Sequence, residues 1–243
     1  MTIAQVIGGS RRMVFFGGAG VSTESGIPDF RGAKGIYAAR TETYPPEEII
    51  SHDFFLAHTD LFYQFYRRHL LYPRAEPNSA HRVLAKWEQS GRMMAVVTQN
   101  IDGLHQKAGS KAVHELHGSV YRNACMDCGQ TYGLRHILET EGVPRCACGG
   151  LIKPDVVLYG EPLDDRVTDA AVKAIEQADT LLVGGTSLTV YPANLLVRFF
   201  RGDHLLLFNQ QPTALDGAAE FVVREPIGEA LAEIDENLLL SGG

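Results

Sequence analysis

All four cysteines of the 243-residue chain fall between positions 125 and 148, as Cys125-x-x-Cys128 and Cys146-x-Cys148. Thiols paired this tightly suit tetrahedral zinc, and a site whose four positions all come from protein is structural, because no place remains for water or substrate. The second pair is one residue short of the usual two-knuckle spacing, and a set of free buried thiols is the competing reading. A second feature with chemical potential is Gly17-Gly18-Ala19-Gly20-Val21-Ser22. A turn with so few side chains lets the backbone approach a phosphate at a helix N-terminus, although many such turns are only tight connections. The third glycine of the dehydrogenase fingerprint falls late, at Gly26, which disfavours hydride transfer among the nucleotide-binding readings.

These groups need elements to position them. Apolar runs at Met13-Val14-Phe15-Phe16, Met94-Ala95-Val96-Val97-Thr98, Thr180-Leu181-Leu182-Val183, Leu205-Leu206-Leu207-Phe208 and, more weakly, Phe221-Val222-Val223 alternate with helical patterns. Runs of this kind read as strands covered on both faces, and the alternation predicts an α/β fold with a doubly wound, parallel, Rossmann-like sheet. Asn78 is placed to cap a helix bearing Ala80, Val83, Leu84 and Trp87 at three- and four-residue spacing, with Gly91 as its stop. Ile227, Leu231, Ile234 and Leu238 mark a closing helix.

Two segments interrupt the alternation. Residues 33–73 are rich in aromatics and contain Tyr44-Pro45-Pro46, which predicts a loop followed by short helices. Residues 120–154 carry the cysteines together with Gly129, Gly133, Gly142, Gly149 and Gly150, which predicts a small zinc ribbon. The expected division is a sheet domain of residues 1–32, 74–119 and 155–243, with the helical and zinc-ribbon insertions forming a small domain.

Hydrophobic residues at 45% and charged residues at 21% argue against wholesale disorder. No apolar run of about 18 residues appears that would span a membrane. A net charge of −7 disfavours a protein that holds nucleic acid by overall charge. The N-terminal MTIAQVIGGSRR lacks the apolar core of a signal peptide, and with the clustered cysteines this predicts a reducing, cytoplasmic location.

Further motifs run in order along the chain: Ser25-Gly26-Ile27-Pro28-Asp29-Phe30-Arg31-Gly32, then Thr98-Gln99-Asn100-Ile101-Asp102-Gly103-Leu104-His105, then Glu115-Leu116-His117-Gly118. Beyond the cysteines come Pro154-Asp155-Val156-Val157-Leu158-Tyr159-Gly160-Glu161, Gly185-Thr186-Ser187-Leu188-Thr189-Val190-Tyr191-Pro192 and Asn209. Over nearly its whole length the sequence strongly resembles the sirtuins, the NAD-dependent protein deacylases.

The resemblance implies NAD as co-substrate and one structural Zn2+ on the cysteine quartet. Gly18, Ala19 and Gly20, with Thr23 beside them, would line the pyrophosphate, and Arg31 would supply a charge-assisted donor to phosphate or ribose oxygens. Phe30 would shield the sugar carbon from water. Asp102, with the Ile101 backbone, would hold the nicotinamide carboxamide, while Asn100 and Gln99 would order ribose hydroxyls or a water. Gly185, Thr186, Ser187, Asn209 and Gln210 would serve the adenosine ribose, and backbone at Ile227 would cover the adenine. His117 is the candidate general base, since imidazole titrates near neutrality and can take a proton from a ribose hydroxyl. The bland alternatives are a surface guanidinium for Arg31 and backbone-closing turn residues for Asn100 and Asp102.

For the substrate, the resemblance implies that Val157, Leu158, Tyr159, Gly160 and Glu161 form an extended segment to which an acyl-lysine protein adds as a strand. Val157 and Tyr159 would wall the acyl-lysine tunnel; an ordinary buried strand is the alternative. Sirtuins that prefer acidic acyl groups carry a Tyr and, three residues later, an Arg, where this chain has Tyr63 and Tyr66. An acidic acyl chain would then be buried unpaired, with Arg67 and Arg68 pointing elsewhere, so acetyl or another neutral acyl is favoured. The reaction implied is NAD-dependent removal of that group from protein lysine, releasing nicotinamide and O-acyl-ADP-ribose. Transfer of ADP-ribose to protein is one rival. A zinc-ribbon module for nucleic acid on a degenerate enzyme fold is another, opposed by the acidity of the chain and the intact Asn100, Asp102 and His117. No direct nucleic-acid or membrane partner is expected, and oligomeric state is not legible.

Overall fold

The computed structural model describes residues 1–32, 35–38 and 44–240. From the N-terminus run α1 (Ile3–Gly9), β1 (Met13–Gly17), α2 (Pro46–Ile49), α3 (His52–Ala57), α4 (Thr59–His69), α5 (Ser79–Gln89) and β2 (Met93–Thr98). There follow α6 (Leu104–Ala108), β3 (Val113–Glu115), β4 (Gly118–Cys125), β5 (Thr131–Gly133), α7 (Leu134–Glu139) and β6 (Ile152–Val156). The chain closes with α8 (Asp165–Gln177), β7 (Thr180–Gly184), β8 (His204–Phe208), β9 (Phe221–Val223) and α9 (Ile227–Leu240). Residues 33, 34 and 39–43 of the expected first insertion, and 241–243 at the end of the expected sheet domain, lie outside the described residues.

Six strands form a wholly parallel sheet in the order β3-β2-β1-β7-β8-β9. Every residue of β1 is buried, and its side chains alternate between two cores. Met13 and Phe15 join Leu84 and Trp87 of α5 and Leu231 of α9 on one face. Val14 and Phe16 join Ala171 and Ile175 of α8 on the other. This two-sided burial is why the central strands read as unbroken apolar runs, and it makes the sheet doubly wound as expected. Asn78 caps α5, its side-chain oxygen accepting from the backbone N–H groups of Ala80 at 3.0 Å and His81 at 3.4 Å. Gly91 follows the helix at φ +79°.

Three elements of the sheet domain lie outside the strand runs and helices named from the sequence. Strand β3 is three half-buried residues at an edge; α8 packs largely through alanines, Ala171 and Ala174; and α1 is a seven-residue helix. Strand β3 and helix α1 bury too few large apolar side chains to imprint a period on the sequence, whereas α8 does carry one, Val167, Ala171, Ala174 and Ile175 recurring at helical spacing.

The second sheet is antiparallel, in the order β5-β4-β6. Its residues Ile152 and Val156 share a core with Phe55, Phe62, Tyr63 and Tyr66 from α3 and α4 and with Ile137 from α7. The two segments that interrupt the α/β alternation therefore pack on one another.

Candidate active site

The chain lays β2 and β3 on one side of β1 and β7 to β9 on the other. Loops leaving β1 and β7 diverge at that switch, which opens a crevice at the carboxyl ends of the strands. The backbone crowds there. Gly20 N–H donates to Gly185 O at 2.8 Å, and a Cβ on Gly20 would lie 2.8 Å from Gly185 Cα. Gly185 stands at φ +59°, and a Cβ there would come within 2.4 Å of Val21 N, so glycine is required. The turn feeds the N-terminus of a helix, which is a 3-10 helix, Ala19–Ser25. Gly26 at φ +81° and Pro28 stop the helix after seven residues, so the cradle is a short, tightly wound backbone.

Beside this cradle, side chains from two strand ends meet. Ser22 Oγ donates to Asp102 Oδ2 at 2.6 Å and accepts from Asn100 Nδ2 at 3.0 Å. Asp102 Oδ1 accepts the Leu104 N–H at 2.9 Å, closing the turn after β2. Burial raises the Asp102 pKa, against the opposing pull of the Ser22 and Leu104 hydrogen bonds. Two acceptor positions remain on the carboxylate for an incoming N–H group. The turn-closing alternative thus holds for Oδ1, and it leaves spare acceptor capacity on both oxygens, Oδ2 being bonded to Ser22.

His117 follows β3, and its Nδ1 lies 3.0 Å from Gln99 O. A carbonyl only accepts, so Nδ1 carries the proton and the lone pair is on Nε2. Burial lowers the His117 pKa, with the Gln99 carbonyl opposing, which leaves the ring neutral and basic at pH 7. The Gln99 amide donates to Thr186 Oγ1 at 3.0 Å, tying the end of β2 to the loop after β7.

One cavity of 680 Å³ runs past these groups, a size suited to a large cofactor with its substrate. The phosphate turn enters it through Gly18, Ala19, Gly20 and Thr23, and the following loop adds Phe30 and Arg31. Its floor carries Gln99, Asn100, Ile101, Asp102 and His117. Gly185 and Thr186, which touch Gly20 and Gln99, also line it, with Ser187, Asn209, Gln210 and Ile227. On the other wall stand Val157, Leu158, Tyr159, Gly160 and Glu161. This wall is pinned from behind, Val157 N–H donating to His117 O at 3.0 Å and Tyr159 N–H to Ile50 O at 3.0 Å, but it is not extended throughout as expected: Glu161 N–H donates to Leu158 O at 2.9 Å and Gly160 stands at φ +90°, so residues 158–161 close a turn.

Away from the cavity, the cysteine Sγ atoms all lie within 4.8 Å of one another, with the spacings Cys125–Cys148 and Cys128–Cys148 at 3.5 Å and Cys128–Cys146 at 3.6 Å. A tetrahedron of thiolates about 2.3 Å from zinc has edges of about 3.8 Å, so the quartet fits the metal. The short second knuckle still reaches because the chain doubles back at Gly149, φ +91°, with Cys146 N–H donating to Gly150 O at 2.8 Å. Among the described residues no other cluster of three or more metal-ligating side chains occurs.

The model of the Sir2 family matches residues 18–192, a span that contains the glycine turn, the Asn100–Asp102 motif, His117 and the cysteine quartet. The chain belongs to the Sir2 family. Within that family it is 52% identical over 235 residues to the NAD-dependent protein deacetylase of Clostridium acetobutylicum and 53% identical over 235 residues to that of Clostridium perfringens, the alignments covering 96% of both chains. A Sir2 structure with deacetylated p53 peptide and 3′-O-acetyl-ADP-ribose shares the fold with a TM-score of 0.88 at 38% identity, covering 96% of each chain. A Sir2 homologue in complex with NAD gives a TM-score of 0.88 at 34% identity, covering 98% of this chain and 93% of the other.

Some features of this Sir2-family site were not read from the sequence. Ser22, at the centre of the hydrogen-bond network, is in the sequence only the last residue of the glycine turn. Arg224 donates to Asn209 O at 2.6 Å and Gln211 O at 2.9 Å and pairs with Asp216, which orders the loop after β8. Tyr63 and Tyr66 do not line the cavity; they are buried in the small core, where the Tyr63 hydroxyl donates to Ile152 O and the Tyr66 hydroxyl has no partner. The same stretch of chain instead contributes Ile50, His69 and Leu70 to the cavity wall. Arg67 points away as expected, donating to Ile137 O and Thr140 O.

Proposed function

We propose that this protein is an NAD-dependent protein-lysine deacetylase whose general base is His117. The observation that carries the assignment of roles is the convergence, on one cavity, of a neutral His117, the Ser22–Asn100–Asp102 network and a segment at residues 157–161 whose backbone is pinned at Val157 and Tyr159. Bound NAD supplies an electrophilic ribose carbon with nicotinamide as leaving group, and the acyl oxygen of the substrate is the nucleophile.

Backbone at Gly18, Ala19 and Gly20 approaches the pyrophosphate, and Arg31 offers it a charge. Asp102 accepts from the carboxamide NH₂ of nicotinamide, Ile101 backbone supplies the matching donor, and Asn100 orders the ribose side. Phe30 keeps water from the sugar carbon. His117 takes a proton from a ribose hydroxyl at Nε2, the nitrogen left free by the bond to Gln99. The acyl-lysine peptide adds along Val157, Leu158, Tyr159, Gly160 and Glu161, and Val157 and Tyr159 flank the acyl group. Ile50 and Leu70 beside that wall supply an apolar surface suited to acetyl or another neutral group. Thr23, Gly185, Thr186, Ser187, Asn209, Gln210 and Ile227 form the rest of the cofactor contact.

The reading extends to the organisation of the chain. Residues 1–32, 74–119 and 155–243 form the NAD-binding domain, and 33–73 and 120–154 the small domain, with the cysteine quartet holding one structural zinc. A chain of net charge −7 with four ligating thiols suits work in the reducing cytoplasm on protein substrates, without direct nucleic-acid contact. No described helix is long and apolar enough to cross a membrane.

Incubation with NAD and an acetyl-lysine peptide, read by mass spectrometry, tests the function. Nicotinamide, deacetylated peptide and O-acetyl-ADP-ribose are expected in equal amounts. A peptide that keeps its acetyl group while a protein gains the mass of ADP-ribose would overturn it in favour of the transferase reading.

A further inference from the structure

The loop carrying Phe30 and Arg31 and the segment proposed to receive the peptide face each other across the cavity, and two side chains bridge them. Tyr37 and Tyr159 meet hydroxyl to hydroxyl at 2.8 Å. We propose that this pair couples the binding of cofactor and peptide, because it ties the cofactor loop to the peptide-receiving segment. The proposal rests on the deacetylase reading above.

Tyr37 belongs to the cofactor loop by every contact it makes on that side. Its N–H donates to Phe30 O at 2.9 Å, next to the Ile36 N–H bond to Asp29 O at 2.8 Å, so the loop closes on itself. Its ring packs edge-on against Phe30 with centroids 5.5 Å apart, and the Arg31 guanidinium lies 5.3 Å from the ring centre. The two side chains offered to the sugar and phosphates therefore both rest on Tyr37. Tyr159 belongs as firmly to the opposite wall. Its backbone donates to Ile50 O at 3.0 Å and accepts from His52 N–H at 2.9 Å, while its side chain stays 38% exposed on the cavity.

A peptide that adds along residues 157–161 stiffens Tyr159 in place. Through the shared hydrogen bond the held Tyr159 favours the placement of Tyr37, and with it of Phe30 and Arg31, that the cofactor needs, and by linkage the cofactor favours seating of the peptide to the same degree. Phenylalanine at either position keeps the ring contacts and removes only the bridge. Tyr37 and Tyr159 thus act as positioning residues for the two ligands.

Calorimetry with ADP-ribose as the probe, in the absence and presence of an acetyl-lysine peptide, measures the coupling as the ratio of the two dissociation constants. In the unaltered protein the peptide is expected to tighten ADP-ribose. Tyr159→Phe and Tyr37→Phe should each reduce that ratio by about two- to tenfold, the range of one hydrogen bond, and the double variant should reduce it no further. A ratio of one in the unaltered protein, an unchanged ratio in both single variants, or single effects that add in the double variant would each overturn the proposal. Nicotinamide release from NAD and peptide by the unaltered protein is measured alongside. Release without coupling overturns the bridge alone, and absence of release overturns the deacetylase reading beneath it.

Discussion

His117 and Gln99 are joined by a single contact, imidazole Nδ1 to backbone carbonyl at 3.0 Å, and it selects the tautomer in which Nε2 is the base. A deletion of the ring should therefore remove catalysis without disturbing the fold. His117→Ala is expected to lower kcat by about 10²–10⁴-fold while zinc content and thermal midpoint stay close to those of the parent, as read by nicotinamide release, metal analysis and calorimetry. Because burial lowers the His117 pKa, the acid limb of kcat/KM should lie below about pH 6.5. A limb above that value would remove His117 as the base.

Ser22 is 1% exposed and bonded to both Asp102 and Asn100. Ser22→Ala leaves a buried amide donor and a carboxylate oxygen each short of a partner, a loss of about 1–3 kcal/mol. Turnover should fall by roughly ten- to a hundredfold, with zinc retained. Steady-state kinetics that match the parent would show the network to be incidental.

The cysteine quartet predicts one zinc per chain. Since Cys125 and Cys146 are part of the core shared by α4 and the ribbon, Cys146→Ser should lose the metal and destabilise the small domain by on the order of 5 kcal/mol. Metal analysis after dialysis against a strong chelator, with a denaturation curve on the same sample, checks both halves. A metal-free protein as stable as the loaded one would reduce the quartet to buried thiols.

His81 and His105 are buried with ring centroids 4.7 Å apart. Burial pushes His81 down to about 4 and His105 well below its ordinary value. The unfolded chain takes up these protons near pH 6.5 whereas the folded chain does not, so stability should be lost as pH falls from about 6.5 toward 4. For His81 alone the loss is roughly 2 kcal/mol by pH 5. Urea midpoints at pH 7 and pH 5 measure it, and the difference should shrink in His105→Asn and His81→Asn, which do not titrate there. Equal midpoints in the parent would contradict the mechanism.

The central strands were legible because β1, β2, β7 and β8 are covered on both faces and must be apolar throughout. The cap at Asn78 and the stop at Gly91 were legible because a helix end is satisfied by its own neighbours. The candidate site was legible as a set of motifs, and its expected members line one cavity. Edge strand β3 was not, since three half-buried residues at a sheet edge need few large side chains. The close approach of Gly20 to Gly185, more than 160 positions away, was not legible either, because it joins two distant loops.

By itself, the sequence determined what acts within a few residues: strand runs, helix caps, the paired thiols and the order of the motifs. Tertiary structure decided the rest. It set Ser22 against Asp102, 80 positions apart, chose the tautomer of His117 through Gln99, turned Tyr63 and Tyr66 into a core, and brought Tyr37 to Tyr159. Such pairings arise from the parallel register of β1 with β2 and β7 and from the packing of two insertions on each other. Propensity and periodicity carry no information about register between distant segments, because that register is set by the burial of the whole sheet at once.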